Sequence, residues 1–179
     1  MAEAPARLVE TYANGGARLA EAVRGWSDAD LRRVPPASAG PEVGKWSVHH
    51  LIIHLQDAEL AFADRIRRVI AMDEPSLLKW DENAFSQRLH YDGHSSADAI
   101  ELIRLTRQQQ ARVLRKLPES DFERTGIHSE RGPQKLSAII GFADWHLNHH
   151  LQFIERKHAV FGKCGLIATC GESGGLKTG

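Results

Sequence analysis

The sequence contains very little cysteine. Its two cysteines, Cys164 and Cys170, lie in a glycine-rich stretch near the end of the 179 residues. Small disulfide-stabilised domains carry more cysteines at regular spacings, so this pattern does not predict a disulfide framework. A loose tail is the favoured interpretation, with pairing or adventitious metal binding as the alternatives.

Long apolar runs and an excess of either charge are also lacking. No stretch approaches the roughly 20 apolar residues that span a bilayer, so we expect no membrane association. The N-terminal MAEAPARLVE has early acidic residues and no hydrophobic signal-peptide core, which predicts a cytoplasmic protein. Basic and acidic side chains balance at 23 each, so nucleic-acid binding is not expected.

Several common catalytic motifs are absent. The sequence has no His-Glu-x-x-His of the zincin proteases and no Gly-x-Ser-x-Gly nucleophile motif. It has neither a phosphate-binding loop nor a dinucleotide fingerprint. The unusual feature that remains is the count of ten histidines.

Apolar residues recur at three- and four-residue spacings in four segments, and almost nothing alternates as a strand would. This pattern predicts an all-α protein. The first segment is interrupted at residues 14–16, where two glycines lower helix propensity. The segments begin near Leu8, after the N-cap candidate Ser47, at Ser95 or Ser96, and at Leu136, the last running to about Phe161 before Gly162.

Two connections between these helices are long. Residues 72–94 and the loop at 119–133 each exceed the short links of a simple up-and-down bundle. The sequence therefore predicts a four-helix bundle with long crossover connections, and such bundle cores often hold metal sites. We expect one domain over residues 1–162 and a flexible tail over 163–179.

The last predicted helix carries a histidine pair. His146 and His150 are four residues apart, so they point within roughly 40° of each other, one turn apart. Both fall on the side of Leu147 and Ile154, which is expected to face the bundle. Two imidazoles at this spacing can bind one ion. An incidental pair of boundary histidines is the alternative.

A third candidate ligand comes from the second helix. His54 lies at the edge of that helix's apolar face, where it can meet the inner face of another helix. Its rival is His50, one turn earlier, which points further outward. His149 diverges from His146 by about 60° and is expected to be partly exposed.

Three histidine ligands favour particular metals. Nitrogen ligands suit zinc, nickel, copper or iron, and three of them leave a coordination position open. That open position indicates chemistry, either on water or on a thiol bound as thiolate. Asp57, one turn after His54, is a candidate for orienting a histidine or acting as a base, and a solvated helix carboxylate is the alternative.

Other polar residues are weaker candidates. Trp80, Thr106, Gln110 and His128 are possible pocket-lining residues, although each can also be explained by packing or loop capping. Asp144 and Glu155 are expected at the surface.

Several local motifs, in order, resemble the DinB-like superfamily and, within it, the YfiT-like metal-dependent hydrolases. The resemblance runs over about residues 40–158. The matching segments are Lys45-Trp46-Ser47-Val48, His54-Leu55-x-Asp57, Pro75, Trp80 to Phe85, Asp121 to Thr125, His128, Trp145-His146-x-x-His149-His150-Leu151, and Ile154-Glu155.

This resemblance implies a bundle of up-down-down-up topology, a zinc or nickel ion on His54, His146 and His150, and a homodimer. Some relatives are described as hydrolases and others resemble thiol transferases that use bacillithiol or mycothiol. The cysteine-bearing tail departs from the family pattern.

Three functions therefore compete. The first is a metal-dependent hydrolase acting on a small molecule. The second is a thiol S-transferase that uses a low-molecular-weight thiol. The third is a non-catalytic bundle in which the metal has a structural or sensing role.

Overall fold

A computed structural model describes residues 4–162. The predicted tail, with Cys164 and Cys170, lies outside these residues. Helices dominate the described chain, and none of those helices is both long and apolar enough to cross a membrane. The helices are α1 (Pro5–Ala13), α2 (Gly15–Ala22), α3 (Asp28–Leu31), α4 (Val48–Ala71), α5 (Glu82–Arg88), α6 (Ser96–Leu114) and α7 (Leu136–Val160).

The predicted helix starts are confirmed by their caps. The Ser47 hydroxyl accepts a hydrogen bond from the His50 N–H at 3.1 Å at the start of α4. Ser95 caps α6 in the same way, through the N–H of Asp98. Each cap satisfies a backbone N–H that has no partner inside its helix. At the end of α7, Gly162 has a φ of 66°, as expected for a C-terminal glycine.

The interruption predicted at residues 14–16 is the break between α1 and α2 at Asn14. Packing explains why glycines occur there. A Cβ at Gly15 would overlap the Arg107 guanidinium, and one at Gly16 would lie 2.5 Å from the Arg104 Cα. The two glycines thus let α6 approach α2 closely, at the expense of helix propensity.

The bundle is arranged as a square. Helix α4 packs against α6 and α7, and the broken helix α1–α2 packs against the same two helices. Consecutive long helices α1–α2 and α4 therefore lie mainly across a diagonal, as do α6 and α7. Long connections follow from this arrangement, because a short link joins only adjacent helices.

The predicted all-α class describes most of the described chain, and one small sheet is added to it. A small sheet of β1 (Ser76–Leu77), β2 (Thr125–His128) and β3 (Gly132–Lys135) joins the two long connections. Strand β1 runs parallel to β2, and β2 runs antiparallel to β3. The segment at 119–133, expected as a loop, thus contains all of β2 and the start of β3. Strands of two to four residues that include glycine and proline show too little alternation to be recognised.

The apolar core is divided into two clusters. One gathers the C-terminal half of α4 with the start of α7, and the other gathers the N-terminal half of α4 with the later part of α7. Along α4 the boundary falls between Leu55 and Ala58, and along α7 between Ala143 and Leu147. The polar side chains of the candidate site lie near this boundary.

Candidate metal centre

Three of the ten histidines converge inside the bundle. His54 on α4 is 1% exposed, and His146 and His150, one turn apart on α7, are half-buried. Their ligand-capable nitrogens all lie within 4.8 Å of one another. We call these three residues the histidine triad. The convergence follows from the packing of α4 against α7 and from the four-residue spacing on α7.

The nitrogen positions within the triad fit a shared cation. Nε2 of His146 lies 3.2 Å from Nε2 of His54 and 3.2 Å from Nε2 of His150. An imidazole nitrogen carries either one hydrogen or one lone pair, so His146 cannot form full hydrogen bonds with both neighbours. Ligand bonds of about 2.0–2.1 Å at a tetrahedral angle place two nitrogens roughly 3.3 Å apart, close to the observed spacing.

Burial shapes the electrostatics of the triad. Removal from water, with the charges of neighbouring cationic groups as a smaller cause, lowers the pKa of His54, His146 and His150 to about 3 each. The rings are therefore neutral at pH 7 and keep a lone pair. Within the described residues, the buried Nδ1 atoms of His54 and His150 have no hydrogen-bond partner.

The two rival histidines lie outside this cluster. The ring of His50 packs against Trp46 and Tyr91, with centroids 4.6 and 4.9 Å away. The ring of His149 is stacked on Trp145 at 5.1 Å, on the outer side of α7. The structure thus brings together the three histidines that the rotation argument selected and leaves His50 and His149 outside the cluster.

Asp57 is buried rather than solvated. It is 6% exposed, and its Oδ2 accepts a hydrogen bond of 2.6 Å from the Tyr91 hydroxyl. Burial and this hydrogen bond raise the pKa of Tyr91. The structure therefore connects Asp57 to the long connection between α4 and α6. Its role as a base stays a prediction.

A cavity of about 420 Å³ opens beside the triad and is lined in part by His146. Aromatic rings of Phe62, Trp80 and Phe142 form its apolar walls. Trp80 also packs on the His54 ring at a centroid distance of 5.4 Å. A cavity of this size accommodates a small molecule.

The predicted pocket residues divide into two groups. Trp80 and His128 line the cavity, and the His128 ring also caps its loop by accepting the backbone N–H of Glu130 at 3.1 Å. Thr106 is not among the lining residues. Gln110 is buried elsewhere in the core, where its amide donates to the Ala63 carbonyl oxygen.

Three basic residues of the cavity were not identified from the sequence. They are Arg65 on α4, Lys79 after β1 and Arg131 in the β2–β3 turn. The positions of Lys79 and Arg131 depend on the small sheet, which the sequence pattern does not reveal. The charge run Arg65 to Arg68 offered a weak signal, because Arg65 falls on the buried side of α4.

The expectation that Asp144 lies at the surface was wrong. It is 8% exposed and forms ion pairs with Arg18 and, at 3.6 Å, with Arg107. Arg107 also donates to Glu59 at 2.7 Å, and both side chains are almost fully buried. We call Arg18, Glu59, Arg107 and Asp144 the ion cluster. Two cationic partners from α2 and α6 explain why an acidic residue is buried here.

Glu155, the other residue expected at the surface, is half-buried.

On the far side of His150, a second cavity is lined in part by Lys157, whose ammonium donates to the Val43 carbonyl oxygen. Burial lowers the pKa of Lys157 to about 8.

Comparison with known proteins identifies relatives over much of the chain. A protein of Oceanobacillus iheyensis named "Putative metal-dependent hydrolase OB0782" is 30% identical over 111 residues, which are 62% of this chain and 64% of that protein. A second protein of that organism, "Putative metal-dependent hydrolase OB0413", is 21% identical over 150 residues, 83% of this chain and 80% of that protein. The match to the first relative thus spans slightly less than two thirds of its length.

A solved structure supports the fold. YfiT from Bacillus subtilis is described as "a probable metal-dependent hydrolase with an unusual four-helix bundle topology". It superposes with a TM-score of 0.78 at 20% identity, over 89% of each chain. This likeness confirms the predicted four-helix bundle. A sequence profile of the DinB superfamily matches residues 11–154, and the chain therefore belongs to that superfamily.

Proposed function

We propose that the histidine triad binds one divalent transition-metal ion and that the chain is a metal-dependent hydrolase. The observation that carries this proposal is the convergence of three imidazole groups, one buried and two half-buried, beside a cavity that His146 also lines. The names of the relatives and the membership of the superfamily agree with it.

The donor set indicates the kind of ion. Among the described residues, the cluster contains nitrogen donors only, with no carboxylate or thiolate. Such a set suits zinc or nickel better than magnesium or calcium, which prefer oxygen. Closed structural zinc sites usually have four protein ligands, so three histidines favour a catalytic role.

When bound, a divalent ion supplies Lewis-acid chemistry, polarising a substrate oxygen and lowering the pKa of water. The chain's own residues supply the surroundings. His54, His146 and His150 hold their lone pairs in a fixed geometry, because α4 and α7 are packed along their length. The rings of Trp80 and Phe62 limit the access of bulk water to the triad.

Asp57 is the proposed acid–base residue. Its carboxylate is buried one turn from His54, and the Tyr91 hydroxyl fixes its orientation. A carboxylate held in this way can accept a proton from an attacking nucleophile if the two come within hydrogen-bond reach.

Activity measurements with the zinc- and nickel-loaded protein test the hydrolase proposal. A panel of small esters and amides should be hydrolysed without added thiol. His146→Ala should lose this activity, whereas His149→Ala, the matched control on the same helix, should keep it.

Two outcomes would contradict the hydrolase proposal. Consumption of an electrophile only in the presence of bacillithiol, with no hydrolysis, would favour the thiol S-transferase. Metal-dependent stability without any turnover would favour a non-catalytic bundle. The homodimer implied by the family resemblance stays a prediction, which analytical ultracentrifugation can check.

A further inference from the structure

Two arginines from different parts of the fold line the cavity that His146 borders. Arg65 comes from α4 and is 9% exposed, whereas Arg131 comes from the exposed β2–β3 turn. Neither has a carboxylate within ion-pair distance in the described part of the chain. The third basic residue of the cavity differs, because Lys79 pairs with Glu130 at 2.8 Å.

The two guanidinium groups are close enough to influence each other. Burial is the main cause that lowers the pKa of Arg65, and the charge of Arg131 is the next. After burial, the same two arginines also lower the pKa of His128, which lines the cavity too. Like charges held near one another in a partly buried place favour a bound anion.

Acidic residues also line the cavity, but in the described part of the chain none of them forms an ion pair with Arg65 or Arg131. Glu130 is engaged with Lys79, and the Asp81 carboxylate accepts the backbone N–H groups of Asn83 and Ala84 at the start of α5. Asp81, Glu82 and Glu130 are exposed, whereas Arg65 is buried. The buried part of the cavity therefore carries the charge of Arg65, with which no carboxylate of the described chain pairs.

Aromatic contacts and one backbone contact position the guanidinium groups. The Arg131 guanidinium lies 4.8 Å from the Phe142 ring centroid, and that of Arg65 lies 5.7 Å from the Phe62 centroid. Nη2 of Arg65 donates to the Leu78 carbonyl oxygen at 2.6 Å. Among the described residues, the remaining N–H groups of both arginines donate to no carbonyl or carboxylate oxygen. A guanidinium matches the geometry of carboxylate and phosphate oxygens.

We propose that Arg65 and Arg131 bind an anionic group, a carboxylate or a phosphate, of a small substrate. The apolar part of that substrate packs between Phe62, Trp80 and Phe142, and its reacting bond lies toward His146. The substrate role rests on the proposed function, whereas anion binding itself requires no metal. The proposal thus narrows the substrate to small anions with an aromatic or aliphatic body.

Titration calorimetry with three probes tests this site. Benzoate and phenyl phosphate carry the two anionic groups, and benzamide is the neutral isostere of benzoate. We expect the full-length protein to bind at least one of the anions at least tenfold more tightly than benzamide. The tighter of the two anions identifies the preferred group. Equal affinity for benzoate, phenyl phosphate and benzamide would overturn the proposal.

Variants connect the binding to the arginines. Arg131→Gln should weaken binding of the preferred anion about tenfold, and Arg65→Gln should weaken it more because Arg65 is buried. Arg65→Lys keeps the charge and guards against a folding defect in Arg65→Gln. Arg68→Gln is the matched control, because Arg68 is exposed on the same helix and pairs with Asp64 outside this cavity. Unchanged affinity in Arg131→Gln and Arg65→Gln would overturn the assignment.

A separate zinc titration distinguishes this proposal from the proposed function. Arg131→Gln should retain zinc binding while losing anion affinity. His150→Ala should lose zinc binding and keep anion affinity, because His150 does not line this cavity. Loss of zinc binding by Arg131→Gln would contradict the separation of the two sites. Absence of zinc binding in the wild type, with anion binding intact, would refute the metal proposal alone.

Discussion

Two polar clusters lie close together in this bundle, both with residues on α4 and α7, and they differ in how their polar groups are compensated. The ion cluster includes Glu59 of α4 and Asp144 of α7, and the histidine triad includes His54 and His146 of those helices. In the ion cluster, two guanidinium groups face two carboxylates. In the triad, three neutral rings face one another without an opposite charge.

The difference indicates which buried polar group serves the fold and which serves a ligand. Glu59 accepts hydrogen bonds from Arg107 at 2.7 Å and from the Tyr12 hydroxyl at 2.5 Å, so its charge is compensated within the chain. The triad presents lone pairs and lacks donors that match them. A buried polar cluster without internal compensation is costly, and a partner from outside stabilises it.

The strongest effect is expected in the ion cluster. Arg107→Met removes the cation that contacts Glu59 and Asp144, and leaves a buried carboxylate without compensation. We expect a loss of about 3–5 kcal/mol in the free energy of unfolding. Urea denaturation measures this loss, which added zinc should not specifically repair.

A paired variant gives the control for this experiment. In Glu59→Leu/Arg107→Met the charge and its partner are removed together, so most of the stability should return. A double variant as unstable as Arg107→Met would show that the ion cluster is not self-compensating.

Unlike the ion cluster, the histidine triad should stabilise the protein when metal is added. Zinc at a free concentration of 100 times its dissociation constant should raise the free energy of unfolding by about 2.7 kcal/mol. His54→Ala should abolish this gain, and His149→Ala should retain it. A similar gain in both variants, measured by thermal or urea unfolding, would place the metal elsewhere.

Acid should destabilise the metal-free protein through the triad. The folded-state pKa of about 3 lies below the ordinary value of 6.5, so the unfolded chain takes up protons that the folded chain does not. Stability conferred by the neutral ring is present above pH 6.5 and is lost progressively as the pH falls toward 3. Between pH 7 and pH 5, metal-stripped wild type should lose about 2 kcal/mol more than His54→Gln. Urea titrations at the two pH values measure these losses of stability. An equal loss in wild type and in His54→Gln would count against burial of neutral rings.

Asp57 lies between the two clusters along α4 and provides the smallest stability change. Tyr91→Phe removes one hydrogen bond to the Asp57 carboxylate and should lower the free energy of unfolding by about 1.5 kcal/mol, measured by urea denaturation.

Asp57→Asn should retain zinc and reduce turnover about a hundredfold if Asp57 is a base. Unchanged turnover in Asp57→Asn would assign Asp57 to the fold alone.

Much of the bundle could be predicted because its signals are local. Caps such as Ser47 and Ser95, the break at residues 14–16 and the extent of α7 depend on residues a few positions apart. The triad was within reach for the same reason, since helix rotation orients His146 and His150 together. His54 required only the further assumption that α4 meets α7.

Features that depend on distant residues were missed. The Arg131 guanidinium reaches the cavity because the small sheet positions its turn. That sheet pairs Ser76 with Ile127, which are far apart in sequence. Asp144 is buried because Arg18 and Arg107 approach it from other helices. Gly15 shows the same limit. A glycine is needed there because the Arg107 side chain lies beside it, and the sequence of its own helix does not indicate this need.

The metal stoichiometry of the triad variants tests most directly whether the histidine triad binds the metal. We expect one equivalent of zinc or nickel per chain in wild type and in His149→Ala, measured by elemental analysis after removal of free metal. His54→Ala, His146→Ala and His150→Ala should each bind less than a tenth of an equivalent while remaining folded by circular dichroism. Stoichiometric metal in folded His54→Ala would contradict the assignment of the triad as the metal site.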